Sequence, residues 1–183
     1  RPQRQMCIRD SAGVVPVRAL EPSAGTGAFV ESLRRCADNA EITCFEKDPM
    51  TGLILRRLHP GDTVRVQGIE TIEPAYEGYF DLITSNIPFG DVRLFDPAFS
   101  SSRDPVRRQG AWAIHNYFFM KSVDLVRDGG LVAFITSQGM ADSERNKPVR
   151  EWLMERCDLV AAVRLPNNLF TDHAGTEVGS DLI

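Results

Sequence analysis

Two short clusters of residues in this sequence have the composition of a ligand-binding site. The first lies between an apolar run at residues 17–21 and an amphipathic run at residues 29–37. Its members are Glu21, Pro22, Ser23, Ala24, Gly25, Thr26 and Gly27. A glycine turn between a strand and a helix lets the backbone approach a ligand closely, because glycine has no side chain and adopts positive φ. Many such turns contain glycine for conformational reasons alone, so a second feature is needed.

An acidic residue at the end of the next apolar run is that second feature. The run at residues 41–46 ends in Glu46, about 20 residues past the glycines, and Lys47 follows it. A carboxylate in this position accepts hydrogen bonds from both hydroxyls of a ribose. Taken alone, Glu46 is better explained as a solvated carboxylate before a turn. Together with the glycine turn, it predicts an adenosine-type cofactor.

The glycine turn favours a methyl donor over a dinucleotide. A pyrophosphate requires G-x-G-x-x-G at a helix N-terminus, whereas Val30 occupies the position of the third glycine here. The carboxylate of Glu21 would repel a pyrophosphate but suits the ammonium group of a methionine moiety. We therefore predict S-adenosylmethionine as the cofactor.

The second cluster is a tight turn that follows the apolar run at residues 80–85. Its members are Asn86, Ile87, Pro88, Phe89 and Gly90. The lone pair of an aromatic amine is delocalised into its ring, so methylation needs acceptors for the two amino hydrogens, and Asn86 Oδ1 and the Ile87 carbonyl are suited to this. Phe89 offers a flat face on which an extruded base stacks. An Asn-Pro turn with a core phenylalanine is the ordinary alternative.

The elements around these clusters predict an α/β, Rossmann-like fold of three layers. Apolar, β-rich runs alternate with amphipathic segments, which is typical of a mostly parallel sheet with helices on both faces. Strands are predicted at residues 17–21, 41–46, 63–66, 80–85, 131–136 and 159–165. Helices are predicted at residues 29–37, at residues 112–127 with an end at Gly129-Gly130, and from Pro148 onward.

Residues 91–110 are predicted to form a long, turn-rich loop, and loops of that length are usually functional or disordered. The charged residues of this segment are Asp91, Arg93, Asp96, Arg103, Asp104, Arg107 and Arg108. One interpretation is that the arginines, in particular Arg103, Arg107 and Arg108, bind DNA phosphates. The other is a solvated loop whose aspartates balance the arginines.

Composition limits the remaining classes. The chain has 183 residues, 43% of them hydrophobic, which predicts one globular domain. The formal net charge of −4 argues against nucleic-acid binding over the whole surface. Its cysteines form no CxxC pair and its histidines are scattered, so we predict no metal. No apolar run has the length of a membrane helix, so we predict no membrane association and expect a cytoplasmic protein.

The two clusters resemble motifs I and IV of the class I methyltransferases, specifically the gamma-type N6-adenine DNA methyltransferases. Their motif IV is usually Asn-Pro-Pro-Tyr or Asn-Pro-Pro-Phe, and Ile87 departs from it. The resemblance implies a cofactor site formed by Glu21, Pro22, Ser23, Ala24, Gly25, Thr26, Gly27, Phe29, Glu46, Lys47, Ile69, Glu70 and Asn86. It implies catalytic roles for Asn86, Ile87, Pro88 and Phe89. It also implies substrate contacts from Phe89, Asn167 and Phe170, and a final antiparallel strand at the C-terminus.

The resemblance implies methyl transfer from S-adenosylmethionine to the N6 amino group of adenine in double-stranded DNA, with the base flipped out. No covalent nucleophile is required. Two alternatives remain: transfer to an RNA guanine or protein glutamine nitrogen, and a non-catalytic nucleic-acid-binding or scaffold module. Because the chain lacks an initiating methionine and a target-recognition domain after Ile183, we expect a fragment of a longer chain. Similar cores occur in long helicase-methylase polypeptides of bacterial mobile elements.

Overall fold

A computed structural model describes residues 18–90, 92–166 and 179–183. Within these ranges seven strands form one sheet in the order β3-β2-β1-β4-β5-β7-β6. The strands are β1 Arg18–Glu21, β2 Glu41–Phe45, β3 Thr63–Arg65, β4 Phe80–Asn86, β5 Val126–Ser137, β6 Val163–Arg164 and β7 Ser180–Leu182. Strands β1 to β5 are parallel to one another, and β7 is antiparallel to both β5 and β6. The predicted final antiparallel strand is therefore confirmed.

The helices cover both faces of this sheet. They are α1 Ala28–Cys36, α2 Pro49–Leu58, α3 Pro97–Ser100, α4 Pro105–Gly110, α5 Ile114–Leu125, α6 Gly139–Asp142 and α7 Lys147–Met154. Short 3-10 turns span Ile69–Thr71, Pro74–Tyr76 and Glu144–Asn146. Helix α2 begins at a capped end, because the Asp48 side chain accepts from the Thr51 amide at 2.7 Å and Pro49 follows the cap.

The period of two along the central strands divides the core into two layers. Ala19 and Leu82 are register partners and pack with α1 and α2. Leu20 and Ile83, the next partners, face the opposite side and pack with α5 and α7. Successive side chains of a strand point to opposite faces, so each strand contributes to both layers. This three-layer architecture confirms the predicted Rossmann-like fold.

The long helix ends earlier than its sequence indicated. Helix α5 stops at Leu125 and β5 begins at Val126, whereas the helix was predicted to reach residue 127. The amide of Tyr79 donates to the Leu125 carbonyl at 2.9 Å, which holds this end against the start of β4. The two glycines lie inside β5 at a register shift against β4, where Gly129 has a φ of 72°. They therefore form an irregularity in a strand and do not cap the helix.

Two other predictions were wrong in extent. Residues 91–110 contain α3 and α4, and the buried ring of Phe99 packs on Tyr117 with 4.8 Å between centroids. Each helix begins at an aspartate cap. Aspartate is also favoured in turns, so the residue type alone does not distinguish a short helix from a turn. The last predicted strand shrinks to Val163–Arg164, the two residues for which β7 provides partners.

Candidate active site

The two clusters lie on neighbouring strands at the point where the strand order reverses. Strand β1 lies between β2 and β4 and is parallel to both. The carboxyl ends of β1 and β4 therefore open on the same edge of the sheet, where doubly wound folds bind their ligands. The turn from Glu21 to Gly27 leaves β1 at this edge, and Asn86 ends β4 beside it.

The glycine turn is built against the end of β2. The Ala24 amide donates to the Phe45 carbonyl at 2.9 Å, and the Gly25 amide donates to Glu46 Oε2 at 2.8 Å. Gly25 has a φ of 55°, and a β-carbon there would meet no atom within 4 Å. Gly27, with a φ of 100°, is crowded instead, since a β-carbon there would lie 2.3 Å from His59 Nε2. Gly25 therefore borders open space, and Gly27 permits close packing of α1 on α2.

The carboxylate of Glu46 joins the first two sequence features directly. Its Oε1 accepts the Asp48 amide at 2.8 Å, while Oε2 accepts the Gly25 amide. Each oxygen of an ionised carboxylate retains a further acceptor position, so hydroxyl donors can still be bound. Next to it, Lys47 Nζ pairs with Glu70 Oε1 at 2.8 Å, which links the ends of β2 and β3. Ile69 is buried beside Glu70.

Glu21 is buried with half of its carboxylate unpaired. Its Oε1 accepts the Ser23 amide at 3.3 Å, whereas Oε2 has no hydrogen-bond partner among the described residues. Burial raises the pKa of Glu21 to about 8, with the hydroxyl of Ser85 and the Ser23 amide opposing this and the charge of Glu46 adding to it. A buried carboxylate oxygen without a partner is costly unless a ligand cation meets it. Glu21 and the open space at Gly25 thus fit the ammonium and backbone of S-adenosylmethionine.

The turn after β4 presents a polar side chain on a rigid support. Asn86 is exposed at the end of the strand. Ile87 is buried, and its amide donates to the Ile135 carbonyl of β5 at 3.0 Å. The proline that the related motif carries at this position lacks an N–H, so isoleucine adds a hydrogen bond that proline cannot make. Pro88 and Phe89 are half-buried, and Gly90 has a φ of 121°.

A cleft with a volume of about 390 Å³ lies beside Gly90. Its walls include Ala113 and His115 at the start of α5 and Asn146 before α7. The buried Asn146 amide contacts His115 Nε2 at 3.1 Å and donates to the Gly139 carbonyl at 2.7 Å, while its Oδ1 accepts from Asn116 at 2.9 Å. Sequence reasoning missed this network. The available signal was His115-Asn116 in the most apolar helix, since buried polar side chains require partners.

The remaining predicted residues are distributed as follows. Pro22 is buried, Ser23 and Phe29 are half-buried, and Thr26 is exposed. Arg103 and Arg108 are exposed, whereas Arg107 pairs with Asp124. Asn167 and Phe170 lie outside the described residues. In the described part of the chain no group of three His, Cys, Asp or Glu residues could hold a metal ion. Its helices are also too short or too polar to cross a bilayer.

The architecture is that of the class I S-adenosylmethionine-dependent methyltransferase fold. A proposed methyltransferase of this class from Listeria monocytogenes superposes with a TM-score of 0.72 at 17% identity, over 91% of this chain and 52% of that one. A proposed RNA methyltransferase from Pyrococcus horikoshii gives 0.60 at 16% identity, over 95% and 76%. At such identities these structures establish the fold alone.

The chain belongs to the Eco57I restriction-modification methylase family, whose model matches residues 54–170, more than half of the chain. The chain is also 28% identical, over 168 residues, to "Defense against restriction protein B" of Escherichia phage P1. That match covers 90% of this chain and 7% of the phage protein, so the chain spans a small part of that relative's length.

Proposed function

We propose that this chain methylates the N6 amino group of adenine in DNA. The observation that carries the proposal is the position of Asn86, an exposed amide at the end of β4, beside the strand that ends in Glu21. An amide oxygen is the kind of acceptor that an exocyclic amino group needs. Membership of a family of DNA methylases supports DNA as the acceptor.

Residues at the ends of three strands would hold the cofactor. The Glu21 carboxylate would bind the ammonium group, the backbone at Gly25 would lie along the methionine moiety, and the Glu46 carboxylate would accept the ribose hydroxyls. Ile69, buried at the end of β3, would line the adenine ring. When bound, S-adenosylmethionine supplies an electrophilic methyl group on its sulfonium.

The substrate half would be formed by the turn after β4. Asn86 Oδ1 and the Ile87 carbonyl would accept one amino hydrogen each, which draws the nitrogen lone pair out of conjugation with the ring. Phe89 would stack on the flipped base, and such stacking offsets part of the few kcal/mol that flipping costs. Catalysis then rests on positioning and on polarising the amine. This mechanism needs no covalent nucleophile. The residue after Pro88 is Phe89, which could not act as one.

The surroundings of this core are part of the same proposal. Double-stranded DNA with a flipped base is the substrate, and further domains of a longer parent chain supply sequence recognition. This chain spans a small share of its phage P1 relative, which supports the proposal that it belongs to a longer parent chain. The phage origin of that relative supports a mobile genetic element as the source of the parent chain.

Labelled-methyl transfer with the Asn86→Ala variant tests the proposal. We expect product formation to fall by at least about a hundredfold, because the interaction is one made in the transition state, with cofactor affinity unchanged. Asn39→Ala is the matched control, since Asn39 is exposed in the turn before β2, at the other end of the strands. Digestion of the DNA and chromatography identify the methylated base.

RNA and protein acceptors run in parallel separate the alternative acceptors. Unchanged N6-methyladenine formation by Asn86→Ala would remove Asn86 from the mechanism. Label found only in RNA or protein would replace DNA as the substrate. Absence of S-adenosylmethionine binding by calorimetry would leave the scaffold interpretation.

A further inference from the structure

An exposed aromatic and basic surface lies just beyond the turn after β4. Phe95 is 75% exposed and Trp112 is 48% exposed. Together with Arg93 and Arg108 they line an open groove with a volume of about 250 Å³, here called the Trp112 groove. Large aromatic side chains exposed this far, grouped on one groove, mark a binding surface more often than single exposed apolar residues do.

Asp96 and Asp104, the carboxylates of this segment that the structure describes, are bound to groups outside the groove. Asp96 is buried and accepts from Tyr117 Oη at 2.7 Å and Lys121 Nζ at 3.0 Å. Asp104 accepts the indole N–H of Trp152 at 2.7 Å and caps α4. These aspartates therefore do not neutralise the surface arginines, which argues against the balanced-loop interpretation. The groove is positively charged although the chain as a whole has a net charge of −4.

The two arginines of the groove are arranged around its aromatic side chains. The guanidinium of Arg93 lies 4.8 Å from the ring centroid of Trp112. Arg108 donates to the Ser102 carbonyl at 2.7 Å and remains exposed. A guanidinium stacked on an indole keeps its edge N–H groups available for phosphate oxygens, while the exposed part of the ring system can stack on a base.

The Trp112 groove adjoins the proposed active site. Ala111 and Trp112 line the groove, and the next residue, Ala113, lines the cleft beside Gly90. The amide of Leu94 donates to the Ala111 carbonyl at 3.0 Å, which holds the two walls of the groove together. A DNA strand whose target base lies at the turn after β4 could therefore continue directly into the groove.

We propose that the Trp112 groove binds nucleotides of the DNA strand next to the target base, unpaired where the duplex opens around the flipped base. A base stacks on Trp112 or Phe95, and its phosphates contact Arg93 and Arg108. Stacking on an aromatic platform selects unpaired nucleotides, because bases in a duplex already have both faces covered. This inference rests on the proposed function, and it names the form in which the strand is held.

Binding of a single-stranded oligonucleotide of roughly 12 nucleotides, measured by anisotropy, tests the groove. We expect Trp112→Ala to weaken binding about tenfold and Trp112→Phe to retain most of it, as expected for loss or retention of one stacking surface. Arg93→Gln should reduce the slope of log K against log salt by about 0.7, one phosphate contact on a single strand. The control is Met50→Ala, which removes an apolar side chain that is 71% exposed on α2.

The intrinsic fluorescence of the protein gives a second readout. The chain has two tryptophans, and Trp152 is only 6% exposed. Quenching by the oligonucleotide should therefore arise from Trp112 and disappear in Trp112→Ala. A duplex of the same sequence should bind more weakly and respond less to this substitution. An RNA oligonucleotide of the same sequence is tested in parallel. If it binds as tightly and loses affinity by the same factor in Trp112→Ala, that result would support the groove as a site for unpaired strands of either DNA or RNA.

The inference and the proposed function fail in different ways. Single-strand affinity that is equal in wild type, Trp112→Ala and Phe95→Ala would overturn the groove assignment, even if methyl transfer to DNA is observed. Loss of binding in Trp112→Ala without methyl transfer by any version would support the groove and refute the proposed function.

Discussion

The ionisation of Glu21 should make cofactor binding depend on pH. Burial raises the pKa of this carboxyl to about 8, so it is protonated at neutral pH in the cofactor-free protein. An ammonium ligand is met best by the carboxylate, so binding must release the proton. Between about pH 6 and about pH 8 the affinity should rise by up to about tenfold per pH unit, and at pH 7 binding should release about 0.9 proton.

The same pKa shift predicts the opposite trend for stability. The folded state of the free protein holds the proton more tightly than the unfolded chain, whose carboxyl has a pKa near 4.5. The free energy of unfolding should therefore fall as the pH rises from about 4.5 to about 8, by up to about 1.4 kcal/mol per unit from this group. Glu21→Gln should remove that decrease, because a neutral amide does not titrate.

Calorimetric titration with S-adenosylhomocysteine in two buffers of different ionisation enthalpy measures both affinity and proton release. Glu21→Gln should bind with a flat pH profile and no linked proton, whereas Glu31→Gln, on the exposed side of α1, should behave as wild type. 5′-Methylthioadenosine lacks the amino-acid moiety and its α-ammonium group, so it should bind wild type without dependence on Glu21 ionisation. A pH-independent affinity for S-adenosylhomocysteine in wild type, or an unchanged slope in Glu21→Gln, would refute the reasoning.

Four further substitutions follow from packing and charge pairing. Gly25→Ala should weaken cofactor binding at a stability cost of only about 1 kcal/mol, since its β-carbon enters open space, whereas Gly27→Ala should also lower the melting temperature because it collides with His59. Lys121→Met should cost about 3 kcal/mol in urea unfolding by leaving the buried Asp96 carboxylate without its cation; a loss below 1 kcal/mol would contradict this. Burial raises the pKa of the Asp81 carboxyl, but hydrogen bonds from Arg18 and Arg127 lower it by more, so the pKa lies below its ordinary value of 3.8. The contribution of Asp81 to the free energy of unfolding is therefore present above about pH 4 and is lost on acidification. Asp81→Asn should make the free energy of unfolding depend less on pH in that range.

The sheet could be predicted because its signals are local. Strands β1, β2 and β4 are short runs with apolar centres bounded by turn residues, and they lie within a residue of the predicted ranges. The short helices at Pro97 and Pro105 were missed because each is a single capped turn or little more. The first of them buries Phe99 against Tyr117, a contact with another part of the chain that no local pattern shows.

Much of the candidate site was also visible in the sequence. The residues at Glu21, Gly25, Glu46 and Asn86 were identified from turn chemistry at strand ends, and parallel strands bring such ends to one edge. The sequence could not indicate that the Gly25 amide donates to Glu46, nor that the cleft beside Gly90 contains the Asn146 network. The Gly25–Glu46 contact joins residues 21 apart, and Asn146 contacts Asn116 and His115, 30 and 31 residues away, so no local pattern encodes these contacts.

The sequence by itself determined the class of fold, the positions of the two turns and the residue types available for binding and transfer. These follow from periodicity and turn chemistry, which depend on near neighbours. Only the tertiary structure decided that Glu21 is buried, that Arg107 forms an ion pair with Asp124, and that Arg93 lies over Trp112 at an open groove. Burial and charge pairing depend on which distant residues share a location, and that is a property of the folded chain.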